Sequence, residues 1–157
     1  MNQVLRFLEF VTLGTWLGGI ILLIVMAAGV FGLLGSQDQA GAVVGMVLGR
    51  LHSIGWIAGV VYLLAALGIE MGPRALVRPA ALAVILMVGL TLFSQYRVTS
   101  RMAALRAEMG SVQATPNNSP LWVEFDRLHH MSVRIETSVL LIGLVALFLT
   151  VRELHPR

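Results

Sequence analysis

The sequence contains no cysteine and no lysine, and charged residues make up only 12% of its 157 positions. Without cysteine, the chain can form neither a disulfide framework nor a thiolate metal site. Without lysine, it cannot carry Schiff-base chemistry, and all 11 of its basic residues are arginine. The net charge of +3 is small and is not gathered into a basic tract, so nucleic acid is not an expected partner.

Apolar residues dominate what remains, at 57% of the chain, and the mean hydropathy is +0.86. Soluble domains carry about 25% charged residues, roughly twice the fraction found here. A soluble core of this size could not bury so much apolar surface. We therefore expect the lipid bilayer to be the principal partner of the chain.

Four apolar segments, at about 8–34, 51–70, 77–97 and 131–151, predict membrane-spanning helices. The predicted fold class is an all-α, integral membrane four-helix bundle, formed by one domain over residues 1–157. An even number of spans places both termini on one side, named side A here, together with the turn at 71–80. The opposite side, side B, holds the long stretch 98–127.

Side B is not predicted to be a structureless loop. Apolar residues continue at helical spacing beyond the third segment, and Gly110 is a plausible helix stop. Ser119 and Pro120 are typical of an N-cap and a first helical residue. We therefore expect the helices to extend beyond the bilayer on this side.

The arginines indicate how the chain is oriented in the membrane and which kind of organism it comes from. Arg74 and Arg78 lie in the short side-A turn, whereas the short side-B connection at 36–40 has no arginine. The positive-inside rule then places side A, with both termini, in the cytoplasm. The use of arginine alone suggests a GC-rich bacterial coding bias, and we expect a bacterial inner membrane.

The last apolar segment is unusually short. Only 15 uncharged residues separate Glu136 from Arg152. A helix of that length covers about 22 Å, less than the bilayer core of about 30 Å. Glu136 is therefore predicted at the edge of the apolar slab or inside it, where ionisable residues often mark function.

A helical wheel gathers polar residues near the side-B boundary. His52 points towards neighbouring helices, and His129, Ser132 and Glu136 share an arc of about 80°. Near the side-B end of the third helix lies Gln95. The predicted polar intramembrane layer comprises Glu136, Ser132, Gln95 and Arg50.

Three interpretations of this layer remain open. His52 and His129 could ligate a haem or a copper ion, since imidazole suits both. Glu136 with a histidine could relay a proton or line a substrate path. Alternatively the layer is structural, with Glu136 paired to Arg50 or Arg97.

Small residues recur at a spacing of four in the second helix, at Gly41, Gly45 and Gly49 and again at Gly55 and Gly59. Such spacing lets helices approach closely in lipid. It predicts packing inside one bundle, or alternatively a homo-oligomer or a membrane-protein complex.

Phe125, Leu128, His129 and Ser132 form a pattern that resembles the F-x-x-L-H-x-x-S motif of the transmembrane protein 205-like family. The stretch LGTWLGG at 13–19 is also similar to the first span of that family. The resemblance implies a four-span membrane protein of unestablished role. By overall shape the chain also looks distantly like copper-resistance protein D and the membrane-embedded protoporphyrinogen oxidases, which handle copper and haem.

The preferred function is that of a non-enzymatic accessory or small-ligand-handling membrane protein. The sequence has no G-x-S-x-G, Walker A or dinucleotide-binding motif that would indicate a common soluble enzyme. The alternatives are a haem- or copper-binding protein that uses His129 and His52, and a small proton-coupled transporter.

Overall fold

The computed structural model describes residues 2–154, and this part of the chain is helical with no strand. The elements are α1 (Asn2–Leu33), α2 (Gln37–Glu70), a short 3-10 helix (Pro73–Val77), α3 (Pro79–Phe93), a π-helical segment (Ser94–Thr99), α4 (Ser100–Met109) and α5 (Pro120–Leu154). The predicted all-α class is confirmed. The 3-10 helix and the π-helical segment were not predicted.

Four helices in the described part of the chain are long and apolar enough to cross a membrane. One of them is the continuous rod formed by α3, the π-helical segment and α4, from Pro79 to Met109. The four contain 31 to 34 residues each, which corresponds to roughly 46–51 Å. Each is therefore longer than a bilayer core of about 30 Å requires.

The helix ends follow local sequence signals. Ser36 caps α2, where its hydroxyl accepts a hydrogen bond from the Gln39 amide at 3.4 Å. Gly110 ends α4 with a positive φ of 70°, which glycine adopts without a Cβ clash. Pro120 begins α5, where its missing N–H costs no helical hydrogen bond. The stop at Gly110 and the start at Pro120 are as predicted.

The core of the bundle is built around Trp16 of α1, which is 2% exposed. Gly55 and Gly59 of α2 admit this indole. A Cβ on Gly55 would lie 2.5 Å from Trp16 Nε1, and one on Gly59 would lie 2.4 Å from Val88 Cγ2. Packing inside the bundle is therefore confirmed for these two glycines.

Gly41 and Gly45 serve a different purpose. The nearest side chain to a Cβ at either position is that of Arg106, and Arg106 Nη1 donates to the Gly41 carbonyl at 3.1 Å. These glycines therefore make room for a guanidinium of α4. The close contact between α1 and α2 is made at Gly55 and Gly59 instead.

The outside of the bundle is apolar. Val25, Leu64, Leu141 and Phe148, for example, are 58–66% exposed. Exposed apolar surface of this extent indicates a membrane or protein interface. In helices of this length and hydropathy, it is suited to contact with lipid.

Candidate functional site

The imidazole of His52 is the centre of a polar cluster that joins three elements of the bundle. The side chain belongs to α2 and is 1% exposed. Its Nδ1 lies 2.7 Å from Gln95 Oε1 in the π-helical segment, and its Nε2 lies 2.6 Å from Glu136 Oε1 on α5. We call these three residues the His52 cluster.

The π-helical segment presents Gln95 to this cluster. A π turn contains an extra residue and leaves a backbone carbonyl without its usual i+4 partner. Here the Ser100 hydroxyl donates to the Gln95 carbonyl at 2.9 Å, five residues back along the chain. The only sequence hint was the run of hydroxyl residues around Gln95, which is a weak signal.

With Gln95 Oε1 facing His52 Nδ1, the donors and acceptors of the cluster require one proton between His52 Nε2 and Glu136 Oε1. A glutamine Oε1 can only accept, so His52 Nδ1–H donates to Gln95. A neutral imidazole with hydrogen on Nδ1 has no hydrogen on Nε2. At 2.6 Å from Glu136, either the carboxyl carries the proton or the imidazole carries both. Without that proton, two acceptors would face each other.

Ser132 and His129, also predicted to lie near this level, form no hydrogen bond with the cluster among the described residues. Ser132 is 5% exposed and faces inward one turn before Glu136. His129 is exposed and lies beside His130, with ring centroids 5.9 Å apart. The predicted inward position of His129 is therefore wrong, because the buried face of α5 passes through Leu128 instead.

The predicted arginine partners of Glu136 are also absent from the cluster. Arg50 and Arg97 are both exposed, and neither forms an ion pair within residues 3–154. Arg50 lies two residues from His52, so it points to another side of α2. Glu136 pairs with histidine because His52 is the basic side chain that α2 turns inward.

A second ionic cluster, missed by the sequence analysis, closes side A. The guanidinium of Arg78 lies 3.7 Å from Glu9 of α1 and 3.3 Å from Glu70 of α2, and it also contacts Glu153 of α5. Glu9 is fully buried. The position of Glu9 at the start of the first apolar segment was the available signal for a buried charge. Its partner, Arg78, could not be identified because it lies in a turn 69 residues later.

At the side-B end of the bundle, polar contacts join the helices beyond their uncharged segments. Asp38, in the first turn of α2, accepts from the Ser111 hydroxyl at 2.6 Å and from the Val112 amide at 2.8 Å. Arg101 of α4 forms two hydrogen bonds with Glu124 of α5, at 2.8 and 2.9 Å. These contacts fix the connection between α4 and α5, and with it the start of α5.

Comparison with known families gives one match. The model of the Domain of unknown function (DUF4149) family covers residues 11–111. The chain belongs to this family. No curated protein and no solved structure shows significant similarity to it.

In this DUF4149 chain, the matched region contains His52 and Gln95, whereas Glu136 lies beyond it. The family description states no activity. The chain is a small membrane protein of unestablished role, as expected. The resemblances to the transmembrane protein 205-like family, to copper-resistance protein D and to the oxidases stay predictions.

The predicted haem or copper ligands can be compared with this geometry. Both ring nitrogens of His52 already lie within hydrogen-bond distance of protein atoms. Within the described residues, no three His, Cys, Asp or Glu side chains are grouped so that they could hold a metal ion. A ligand role for His52 would therefore require it to leave Gln95 or Glu136, whereas the exposed imidazole of His129 is accessible.

Proposed function

We propose that this chain is a non-enzymatic accessory membrane protein that responds to protons through His52 and Glu136. The main support is the distance of 2.6 Å between His52 Nε2 and Glu136 Oε1, because two groups this close must share one proton. Binding or release of that proton would alter the polar contact that joins α2 to α5 across the bundle.

The surroundings of the pair support this coupling. His52 is almost fully buried, and the Glu136 side chain is 12% exposed. If the shared proton is lost, His52 Nε2 and Glu136 Oε1 are two acceptors that face each other. This is costly in a site of low polarity because water does not replace their hydrogen bond. Loss of the shared proton would favour separation of α2 from α5 and entry of water.

Spectroscopic distances test the proposal directly. The chain has no cysteine, so two can be introduced for spin labels, at Met46 on α2 and Val123 on α5, which are 60% and 53% exposed. The distance distribution should differ between an acidic and an alkaline sample of the same protein. The Glu136→Gln variant should lose this change.

The matched control is Asp126→Asn, which alters a carboxylate on the same helix whose side chain is 42% exposed. It should retain the pH response. A distance that stays constant in the unsubstituted chain, or a response that persists in Glu136→Gln, would overturn the proposal.

Haem or copper binding is the second candidate, favoured by the exposed pair of neighbouring imidazoles at His129 and His130. The resemblance to copper- and haem-handling membrane proteins supports the same role. An absorption spectrum and metal analysis of the purified protein would test it. A Soret band or bound copper that is lost in His129→Ala would support this candidate, and a colourless, metal-free preparation would refute it.

Proton-coupled transport is a further candidate, supported by buried carboxylates near both ends of the bundle, Glu136 on side B and Glu9 on side A. Between these levels lie packed apolar residues, including Ile20, Met87 and Val139, each fully buried. Transport would therefore need this core to open. Flux into proteoliposomes that is unchanged by Glu136→Gln would exclude a role for this carboxylate.

A further inference from the structure

An open groove of about 370 Å³ lies on the outer surface of α5, near side B. Its lining residues are Arg127, His130, Met131 and Arg134. The two arginines are seven residues apart, so they lie within about 20° on the helix and about 10 Å along it. The groove is therefore bounded along the helix by two guanidinium groups.

The positive charge of this groove is not neutralised by neighbouring acids. Within residues 3–154, neither Arg127 nor Arg134 has a carboxylate within ion-pair distance. The nearby acids are Asp126, which lies 3.7 Å from His130, and Glu124, which accepts two hydrogen bonds from Arg101. Arg78 and Arg101, by contrast, each contact glutamates. The groove thus offers two free guanidinium groups to an anion.

The same face of α5 becomes apolar immediately beyond the groove. Leu141, Val145 and Phe148 lie within about 40° of Arg134 on the helix and are 54–66% exposed. The hydroxyl of Ser138, between them and Arg134, donates to the Arg134 carbonyl at 2.9 Å. The surface therefore presents a basic end and a continuous apolar stripe, in the order of a lipid headgroup and its acyl chain.

We propose that this surface binds an anionic phospholipid. Arg127 and Arg134 would bind its phosphodiester, since a guanidinium matches phosphate oxygens with paired N–H donors. An acyl chain would lie along Leu141, Val145 and Phe148. A zwitterionic lipid would bind more weakly because its own ammonium group offsets the phosphate charge.

Native mass spectrometry of the purified protein in detergent tests this site. The probes are phosphatidylglycerol and phosphatidylcholine with identical acyl chains. Phosphatidylglycerol should bind more tightly, and the Arg127→Gln/Arg134→Gln variant should lower its affinity about tenfold, given the usual contribution of basic residues near anionic lipid. Equal affinity for the two lipids would overturn the proposal.

The matched control is Arg50→Gln/Arg97→Gln, which removes two exposed arginines from other helices. It should leave phosphatidylglycerol binding within about twofold, and an equal loss would show a nonspecific charge effect and refute the site. Excess inorganic phosphate should not displace the lipid at matched ionic strength, and displacement would mean that the groove takes free phosphate instead. Circular dichroism checks that each variant is folded. If the double variant does not fold, phosphatidylglycerol binding to the unsubstituted protein is measured at increasing sodium chloride concentration instead. Binding that does not weaken with salt would refute the proposal.

Discussion

His52 Nε2 and Glu136 Oε1 lie 2.6 Å apart and join two helices whose contacting residues are separated by 84 positions in the chain. On side A, Arg78 connects three glutamates from three other helices. The apolar core around Trp16 lies between these two clusters. The bundle is thus connected by polar contacts near both ends and by close packing in the middle.

Removal of the Glu136 side chain should cost more stability than its neutralisation. Glu136→Ala leaves His52 Nε2 buried without a partner, which costs about 1–3 kcal/mol. Glu136→Gln offers an amide N–H to Nε2 and should cost about 1 kcal/mol or less. Unfolding of both variants in detergent measures the difference, and equal losses would contradict the hydrogen bond expected between the amide of Glu136→Gln and His52.

The close approach of Trp16 to α2 predicts a strong position effect among glycines. Gly59→Ala places a methyl group 2.4 Å from Val88 Cγ2 and 3.0 Å from the Trp16 ring. Overpacking of this kind typically costs about 1–3 kcal/mol. Gly18→Ala meets no other atom within 4 Å and is the matched control. The midpoint temperature of thermal unfolding should fall for Gly59→Ala. It should be unchanged or higher for Gly18→Ala, since alanine favours the helical conformation.

Arg78 is expected to be the most sensitive arginine of the chain. Arg78→Gln leaves the fully buried Glu9 without its cation, and breaking a buried ion pair costs about 3–5 kcal/mol. A second substitution, Glu9→Gln, should recover part of the loss by removing the uncompensated charge. Arg74→Gln, at an exposed position of the same turn, should have little effect. Expression and detergent unfolding compare these three variants with the unsubstituted chain, and loss of stability without rescue would contradict a charge-based role.

Acid should loosen the connection that follows α4. The hydrogen bond from the Ser111 hydroxyl, assisted by backbone amides, lowers the pKa of Asp38 below its ordinary value. A lowered folded-state pKa stabilises the protein above the unfolded value of about 3.9, and this contribution is lost as pH falls through the folded pKa. Below about pH 4, the unsubstituted protein should therefore lose stability.

The Asp38→Asn variant should lose less stability over the same acidic range, because its amide does not titrate. The amide oxygen can still accept from the Val112 N–H, whereas the amide nitrogen replaces the oxygen that accepts from Ser111. Asp126→Asn, at a partly exposed carboxylate, serves as the control and should behave as the unsubstituted chain does. The measurement is thermal unfolding in detergent as a function of pH. Parallel curves for Asp38→Asn and the unsubstituted protein would exclude Asp38 as the source.

Much of the fold could be predicted because its signals are local. Long uncharged runs predict helices that cross a bilayer, and Gly110 and Pro120 indicate where two of them end and begin. The π-helical segment could not be predicted in this way. It depends on how this segment packs between α2 and α5, where Gln95 contacts His52, and those contacts lie outside its own sequence neighbourhood.

The site was predictable in part. A helical wheel places His52 inward and Glu136 near the same level, and the structure brings them into contact. The wheel could not resolve His129, because a rotation of α5 by a fraction of a turn decides whether Leu128 or His129 faces the core. It also could not identify the partner of Glu136, since Arg50 and His52 occupy the same level of α2 on different faces.

The sequence by itself determined that this chain is a helical membrane protein without cysteine or lysine chemistry, because hydropathy and composition do not depend on how helices are arranged. Only the tertiary structure decided that Glu136 pairs with His52, that Glu9 pairs with Arg78, and that His129 faces outward. Pairing depends on the rotation and offset of each helix, which side-chain packing around Trp16, Gly55 and Gly59 fixes. Contacts such as these, at 2.6 and 3.7 Å between groups far apart in the chain, are decided only at that level.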